Sequence, residues 1–449
     1  MPKPLSEFAT LDFLEIVPDY VTIRDCFKGS RAIKDSTTKY LPQLKGQSVQ
    51  DYANYLFRAL FFPITGKTCT TMVGMATTKP PEVKYPPTME PYFSDTSSGY
   101  QFTETYVRMF TEVLLMGRYG VLIDAPINGN TSPKLVPYVA ENIVRWRENG
   151  YGRLLELMLR EYVAKPTDKK YETKLAVQYR HCVLVEDVYT VFVLDEDLNQ
   201  VSGIVPTFSG QPIDFIPFVC CGSSGVHMSV DRPPMLDIAT INVSHYLSSA
   251  DLEWGRHITG LPTPVVSGVD SSTNLSIGGT SAWILPPAEA KAYYMEFLGQ
   301  GLGSLEKAMA DKIGLMASVS ARLVDNSTRG SEAAETVRLR YMSESASLIH
   351  VIGAIESALN LLYNMLAKLL GVPQTVSIQF SREVLGTGIK FSDLKTLFEA
   401  YFEGGVSKET LLYNMRRLDA VDPNRSDADE LAAIRDPELR EAAADTTEE

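Results

Sequence analysis

From Pro233 to His257 the chain reads PPMLDIATINVSHYLSSADLEWGRH. The paired prolines suit a helix start, because the first helical turn has no use for their missing amide hydrogens. Apolar or small residues then recur at Leu236, Ala239, Val243, Tyr246, Ala250 and Trp254. Steps of three and four put these on one stripe along about seven helical turns. The period is lost from Ile258 to Gln300, where LPTPVVSGVDSSTNLSIGGTSAWILPPAEAKAYYMEFLGQ is broken by Gly, Ser and Pro. Strand-forming clusters there centre on Val265, Trp283 and Tyr293, which predicts a small β insertion. Helix returns from Leu302 to Leu323, and the polar run VDNSTRGSE, Val324 to Glu332, interrupts it. The strongest period of the chain follows: Ala334, Val337, Tyr341, Ser345, Leu348, Ile352, Ile355, Leu359, Leu362, Leu366 and Leu369. One helix of about forty residues, roughly 60 Å long, accounts for it. Gly371 and Pro373 stop that helix.

Upstream, residues from about Tyr20 to Gly74 read as helical, with Tyr52, Tyr55, Leu56, Ala59 and Leu60 on one face. TTKPPEVKYPPTMEP, Thr77 to Pro91, carries five prolines that deny it helix and central strand, so an extended connector is expected. A helix from Gln101 to Met116 and a buried strand over Val121, Leu122 and Ile123 come next. Lys134 to Val219 is rich in Val, Tyr and Phe and reads as strands, with turns at Lys165–Tyr171 and Asp195–Gln200. Beyond the long helix, TVSIQFSREV predicts one more strand and Phe391 to Leu418 a helical hairpin hinged at Gly404–Gly405. From Val421 ten Asp and Glu face three Arg with no aromatic residue, a composition expected to be disordered.

The 449 residues are 45% hydrophobic and 22% charged, enough for several packed units and for a sizeable core. Forty-two Lys and Arg against fifty-five Asp and Glu leave a net charge of −13, which argues against a protein that grips nucleic acid through a basic stripe. Five scattered cysteines do not make a disulfide framework and suit a reducing compartment. The N-terminus MPKPLSEFATLDF lacks the apolar core of a secretion signal. In the apolar stretch Leu348 to Leu370, the residues His350, Glu356, Asn360, Asn364 and Lys368 sit too deep for a lipid-spanning helix. No membrane anchor is expected.

Motifs for catalysis are weak. Gly66-Lys67-Thr68 matches the end of a phosphate-binding loop, but Phe61 stands where the first glycine should turn the chain. His181-Cys182, Cys220-Cys221 and His227 could be imagined around a metal, yet neighbours on a strand point to opposite faces and each pair offers one ligand. Gly222-Ser223-Ser224-Gly225 lacks the G-x-S-x-G pattern of a nucleophile elbow. Asp195-Glu196-Asp197 reads as a solvated turn. No catalytic residue, cofactor site or metal site is assigned, and the chain is expected not to be an enzyme.

The order helix, β insertion, helix, polar break, very long helix resembles the core of tailed-bacteriophage portal proteins, the head-to-tail connectors. Thr38–Leu44 (TKYLPQL), Tyr55–Thr68 (YLFRALFFPITGKT), Gly74–Pro81 (GMATTKPP), Gly117–Pro126 (GRYGVLIDAP), Pro137–Trp146 (PYVAENIVRW), Ile216–Val219 (IPFV) and Pro233–Gly268 look like one portal family. The resemblance runs from about Tyr20 to Gly371. It implies an α+β portal fold assembled as a ring, usually of twelve subunits, at one capsid vertex. It also implies a channel for double-stranded DNA during packaging and ejection, with ATP hydrolysis left to the terminase.

Carried onto this chain, the resemblance makes residues 1–230 the N-terminal part of a wing, 231–257 a first stem helix and 258–300 a clip. Residues 301–323 become a second stem helix, 324–332 a tunnel loop, 333–390 the long wing helix and a strand, 391–420 a short crown, and 421–449 the acidic tail. Asp325, Asn326, Ser327, Thr328 and Arg329 would face DNA at the tunnel loop, and Lys307 and Lys312 would belong to the stem channel. Val265, Trp283, Tyr293 and Tyr294 would lie on the partner-docking clip. The implied partners are further copies of the chain, the major capsid and scaffolding proteins, the terminase large subunit, a head-tail adaptor or tail protein, and DNA without sequence specificity. The implied location is the virion, with assembly in the host cytoplasm. Another virion ring or adaptor protein, and a nucleotide-binding packaging enzyme built on Gly66-Lys67-Thr68, are the rival assignments.

Overall fold

Two sheets and a layer of helices are built around the strand-rich middle of the chain. The computed structural model describes residues 4–93, 102–125, 133–166, 173–208, 210–260, 263–267, 291–295, 301–324, 334–382, 398–399, 401 and 405–417. The chain divides into two units, Met1–Ser381 and Arg382–Glu449. In the second, the described part includes a helix over Lys408–Arg417, whose start is capped by Ser407 Oγ accepting from Thr410 N (3.1 Å). The acidic tail from Val421 lies outside the described residues.

The first unit begins with α1 (Leu11–Lys28), α2 (Ser30–Asp35), α3 (Val49–Arg58) and α4 (Ile64–Ala76). Then come β1 (Glu82–Lys84), α5 (Phe102–Met116), β2 (Arg118–Asp124), β3 (Lys134–Val139), β4 (Ile143–Glu148), β5 (Leu154–Pro166), β6 (Thr173–Val185), β7 (Val188–Leu194) and β8 (Gln200–Ile204). The short β9 (Thr207–Phe208), β10 (Gln211–Pro212) and β11 (Phe218–Gly222) precede α6 (Leu236–Gly260), β12 (Thr263–Ser267), β13 (Lys291–Met295), α7 (Leu302–Val324), α8 (Ala334–Leu369) and β14 (Ser377–Gln379).

β4 to β8 form a five-stranded antiparallel meander, and β11-β2-β3 form a second antiparallel sheet. Strand alternation sends one face of the meander to each neighbour. Ile143, Leu157, Leu159, Cys182 and Val191 pack with Leu122, Tyr138 and Phe218 of the smaller sheet. Val144, Met158 and Tyr179 pack on the other side with Phe8 and Phe13. Thr10 covers the β4 edge, its amide donating to Val144 O (3.1 Å) and its hydroxyl accepting from Trp146 N (3.2 Å). Arg24 of α1 ties the helical layer together, because its guanidinium donates to both Glu112 of α5 (2.6 and 3.0 Å) and Glu141 (2.7 and 2.9 Å). A buried cation without those two carboxylates would be strongly destabilising.

Three expectations needed adjustment. The proline-rich connector contains a short strand, the proline-free β1, which pairs with β14 as Glu82↔Gln379 to Lys84↔Ser377. Its later prolines start a 3-10 helix over Pro87–Tyr92, where Pro87 has no amide to lose. The helix through Tyr55 stops at Arg58, because Ala59 turns extended at ψ 134°, so Leu60 leaves the stripe and lies half exposed.

Candidate functional site

α6 carries the polar residues that fasten the helical layer. Its deepest face is formed by Ile238, Ala239, Asn242, His245, Tyr246, Ser249 and Ala250, while Leu236, Val243 and Trp254 of the expected stripe are only partly buried. The face is rotated because the turn leading into α4 offers backbone groups that need partners. Asn242 Oδ1 accepts from Thr65 N (3.3 Å) and Thr65 Oγ1 (3.0 Å), and its Nδ2 donates to Phe62 O (2.9 Å). Ser249 Oγ accepts from Leu60 N (3.1 Å), and Tyr55 Oη donates to Asp251 Oδ1 (2.5 Å). Hydropathy alone missed these residues. The signal that could have found them is the spacing of Asn242, His245 and Ser249, polar side chains at steps of three and four inside an apolar helix.

α7 returns along α6. Lys312 Nζ donates to Ser244 O (3.0 Å) and Ser248 Oγ (2.6 Å), so this lysine is committed to the helix pair, while Lys307 is exposed. Gly255 lets the second helix begin close to the first, since a Cβ there would stand 2.6 Å from Leu302 Cδ2. Arg256 donates to Glu306 Oε1 (2.9 Å) across the same end. His245, fully buried beside Phe62, has neither ring nitrogen hydrogen-bonded among the described residues. Burial, and then the charge of Lys312, hold its imidazole below the ordinary pKa. The outward side of α7 mixes signs, with Glu306, Lys307 and Asp311 all exposed.

Between the two helices lies an antiparallel pair, β12 and β13, in register Val265↔Tyr293 and Pro264↔Tyr294. Val265 is partly buried and Tyr293 is exposed. Trp283 and the loop residues Asp325, Asn326, Ser327, Thr328 and Arg329 lie outside the described residues.

α8 runs 36 residues and buries Leu348, Ile352, Ile355, Leu359, Leu362 and Leu366. Ser347–Leu369 is long and apolar enough to cross a membrane, yet half of it is buried inside the protein. Its polar residues hold a strand. Asn364 exchanges two hydrogen bonds with Val376 (2.8 and 2.9 Å), Asn360 two with Ile378 (2.7 and 2.9 Å), and Glu356 Oε2 accepts from Phe380 N (2.9 Å). Helix residues four apart thus serve strand residues two apart, because both repeats advance roughly 6 Å.

The motifs weighed for chemistry resolve into structure. Gly66-Lys67-Thr68 lies within the first two turns of α4. Ile64 N donates to Phe62 O, Thr65 N to Asn242 and Lys67 N to Pro63 O, so three of the amides at the start of α4 that could meet a phosphate are taken. Gly66 has a packing role instead: a Cβ there would lie a tight 3.3 Å from Phe27 O, where α4 meets α1.

Ser224, His227 and Asp231 do come together beside a cleft lined by Met72, Leu114, Ser223, Pro234 and His350. Ser224 Oγ is 2.8 Å from His227 Nε2 and 2.9 Å from both Asp231 oxygens. His227 Nδ1 meets Ser229 Oγ instead (2.7 Å), so the carboxylate sits on the serine side of the ring. A charge-relay triad needs it on the far nitrogen. The cluster instead closes its own loop, with Ser224 N also donating to Asp231 (2.8 Å).

Cys182, Cys220 and Cys221 are buried in β6 and β11, and burial pushes the Cys182 thiol up to about 12. Among the described residues no group of three or more His, Cys, Asp and Glu could hold a metal ion. Asp195 accepts from Asp197 N, Asn199 N and Asn199 Nδ2 as a turn residue, bonds that lower its carboxyl pKa.

A family model described as a domain of unknown function (DUF4055) matches residues 234–369. That span runs from the start of α6 to the end of α8. No curated protein matches the chain. Among solved structures, the chain is similar to one described as the neck of an empty GTA particle computed with C6 symmetry, at 13% identity and a TM-score of 0.40, covering 80% of this chain and 92% of that one. A second, from the virion of a native gene transfer agent (GTA) particle, shows 12% identity and a TM-score of 0.37 over 87% of this chain and 99% of that one. A third, the neck of a native GTA particle computed with C12 symmetry, shows 13% identity and a TM-score of 0.37 over 77% and 87%.

Proposed function

We propose that the chain is a portal-type subunit: a virion structural protein that forms a ring at one vertex of a phage-like capsid and encloses the channel through which double-stranded DNA enters and leaves. The observation that carries the reading is the element order from α6 to α8. A 25-residue helix, an excursion bearing a β-hairpin, a 23-residue helix fastened back onto the first, and a 36-residue helix follow one another. The family resemblance in the residues of that segment supports the same assignment. In this reading α6 and α7 are the stem, β12 and β13 belong to the clip that receives the packaging motor and later the tail adaptor, and α8 crosses the wing.

The mechanism is mechanical, and this chain catalyses no reaction. Every phosphate neutralised at a channel wall adds sequence-independent affinity, so a wall of cations would act as a brake on moving DNA. The mixed signs of Glu306, Lys307 and Asp311, and the withdrawal of Lys312 into the helix pair, suit a surface along which DNA slides. The loop that the resemblance assigns to the tunnel, Asp325–Arg329, would then guide the duplex.

Negative-stain images and native mass spectrometry of the purified protein test the assignment. Closed rings with a central hole are expected. A protein that stays monomeric at all concentrations, or an ATPase activity abolished by Lys67→Ala, would overturn it.

A further inference from the structure

Residues 26–80 carry six Lys and two Arg against two Asp, a net +6 in a chain whose total is −13. The remainder of the chain is therefore −19. The basic segment is α2, α3 and α4 with their connections, and its charge comes with exposed apolar surface. Val49, Ala53 and Phe57 lie at steps of four along α3, and all are exposed. Phe57 is 82% exposed, with Leu60 and Phe62 about half exposed beside it. Lys34 of α2 reaches the same spot, donating to Phe57 O (2.9 Å), and Arg31 and Lys67 are exposed on the flanking helices. Exposed apolar side chains with cations on the same and flanking helices are the make-up of a protein interface, with a dry centre and a charged rim, and the phosphate-lined outside of duplex DNA offers little to such a centre.

A complementary face lies on the five-stranded sheet. Residues 195–205 hold three acidic side chains, Asp195, Glu196 and Asp197, and no Lys or Arg. Within them β8 is an edge strand with all five residues exposed, Val201 and Ile204 among them, and the turn bearing Glu196 and Asp197 leads into it. Sheets usually protect such an edge, as Thr10 does for β4 at the opposite side of this one.

We infer that the basic face of α2–α4 docks on the acidic β8 face of the next copy of this chain, so that copies associate head to tail. A two-fold contact centred on either face alone would set like charge against like. A heterologous contact joins the opposite charges, and repeated around an axis whose rotation closes, it builds a ring. The inference rests on the ring assignment above and names the two surfaces that build the ring.

Charge exchange tests it. Arg31→Glu with Lys67→Glu, and separately Glu196→Lys with Asp197→Lys, should each raise the concentration needed for assembly at least tenfold in native mass spectrometry. Combining all four changes in one chain should restore assembly. Phe57→Ser, at a side chain too exposed to serve the fold, should weaken assembly while leaving the circular-dichroism melt unchanged. A photo-reactive phenylalanine at position 57 of an otherwise unaltered ring should cross-link to residues 196–205 of another copy. Rings that survive every exchange, or cross-links that fall elsewhere, would overturn the pairing of faces and leave the ring assignment standing. A wild-type chain that never self-associates would sink both.

Discussion

Glu156 gathers three partners on one sheet face: His181 Nε2 at 3.2 Å, Arg145 Nε at 2.9 Å and Arg147 Nε at 3.2 Å. The hydrogen bond with His181 and then those of the two arginines outweigh burial and bring its carboxyl down from 4.5 to about 2. A carboxyl with a depressed folded-state pKa stabilises the fold fully above its unfolded value and loses that contribution as pH falls through the folded value. The window here is pH 4.5 to 2. Glu156→Gln should therefore be less stable than wild type to urea at pH 7, and the gap should close as pH approaches 2. A deficit that stays constant with pH would show that packing, not charge, is what the substitution removes. The same scale explains Gly66: what looked like a fragment of a phosphate loop is a small residue where two helices touch.

Among the elements, α8 does two jobs with one repeat. Its apolar side fills the core, and Glu356, Asn360 and Asn364 stand where a neighbouring strand would, serving the backbone at Val376, Ile378 and Phe380. The other edge of β14 pairs with β1, so both edges are engaged. Asn360→Leu keeps the branched shape but leaves the Ile378 amide and carbonyl unpaired, at a cost of roughly 1–3 kcal/mol. Hydrogen exchange should show the Ile378 amide at least tenfold less protected, with the amides of α8 little changed. Protection equal to wild type would mean that the pairing with β1 alone holds the strand.

For the molecule as a whole, the β-hairpin excursion between α6 and α7 is separable from the pair of helices that carries it. Lys312 with Ser244 and Ser248, Arg256 with Glu306, and Leu302 against Gly255 hold the helices together outside the excursion. Replacing residues 262–298 by a short Gly/Ser linker should leave the circular-dichroism melting temperature within a few degrees of wild type. Under the portal assignment it should abolish binding of the packaging motor or the adaptor. Binding that survives would move the docking surface elsewhere.

Local pattern sufficed for the long elements. The periods at Leu348 to Leu369 and Phe102 to Leu114, the proline start before α6, and Gly371, which takes a φ of +71°, are written in consecutive residues, and the helices stand where they place them. The order of those helices around one hairpin-bearing excursion was likewise legible, and with it the resemblance from which the function is proposed. What only the tertiary structure decided is which polar side chains lie inside. Asn242 and Ser249 are buried because the chain near residue 62, about 180 positions away, leaves amides and a carbonyl to be satisfied. Lys312 turns inward for the same kind of reason, toward a carbonyl and a hydroxyl of α6. The gathering of basic and apolar groups on α2–α4, opposite in charge to the β8 edge, depends on which faces the core leaves uncovered. A side chain's period reports how its own element repeats, whereas its partners are set by elements that only folding brings near.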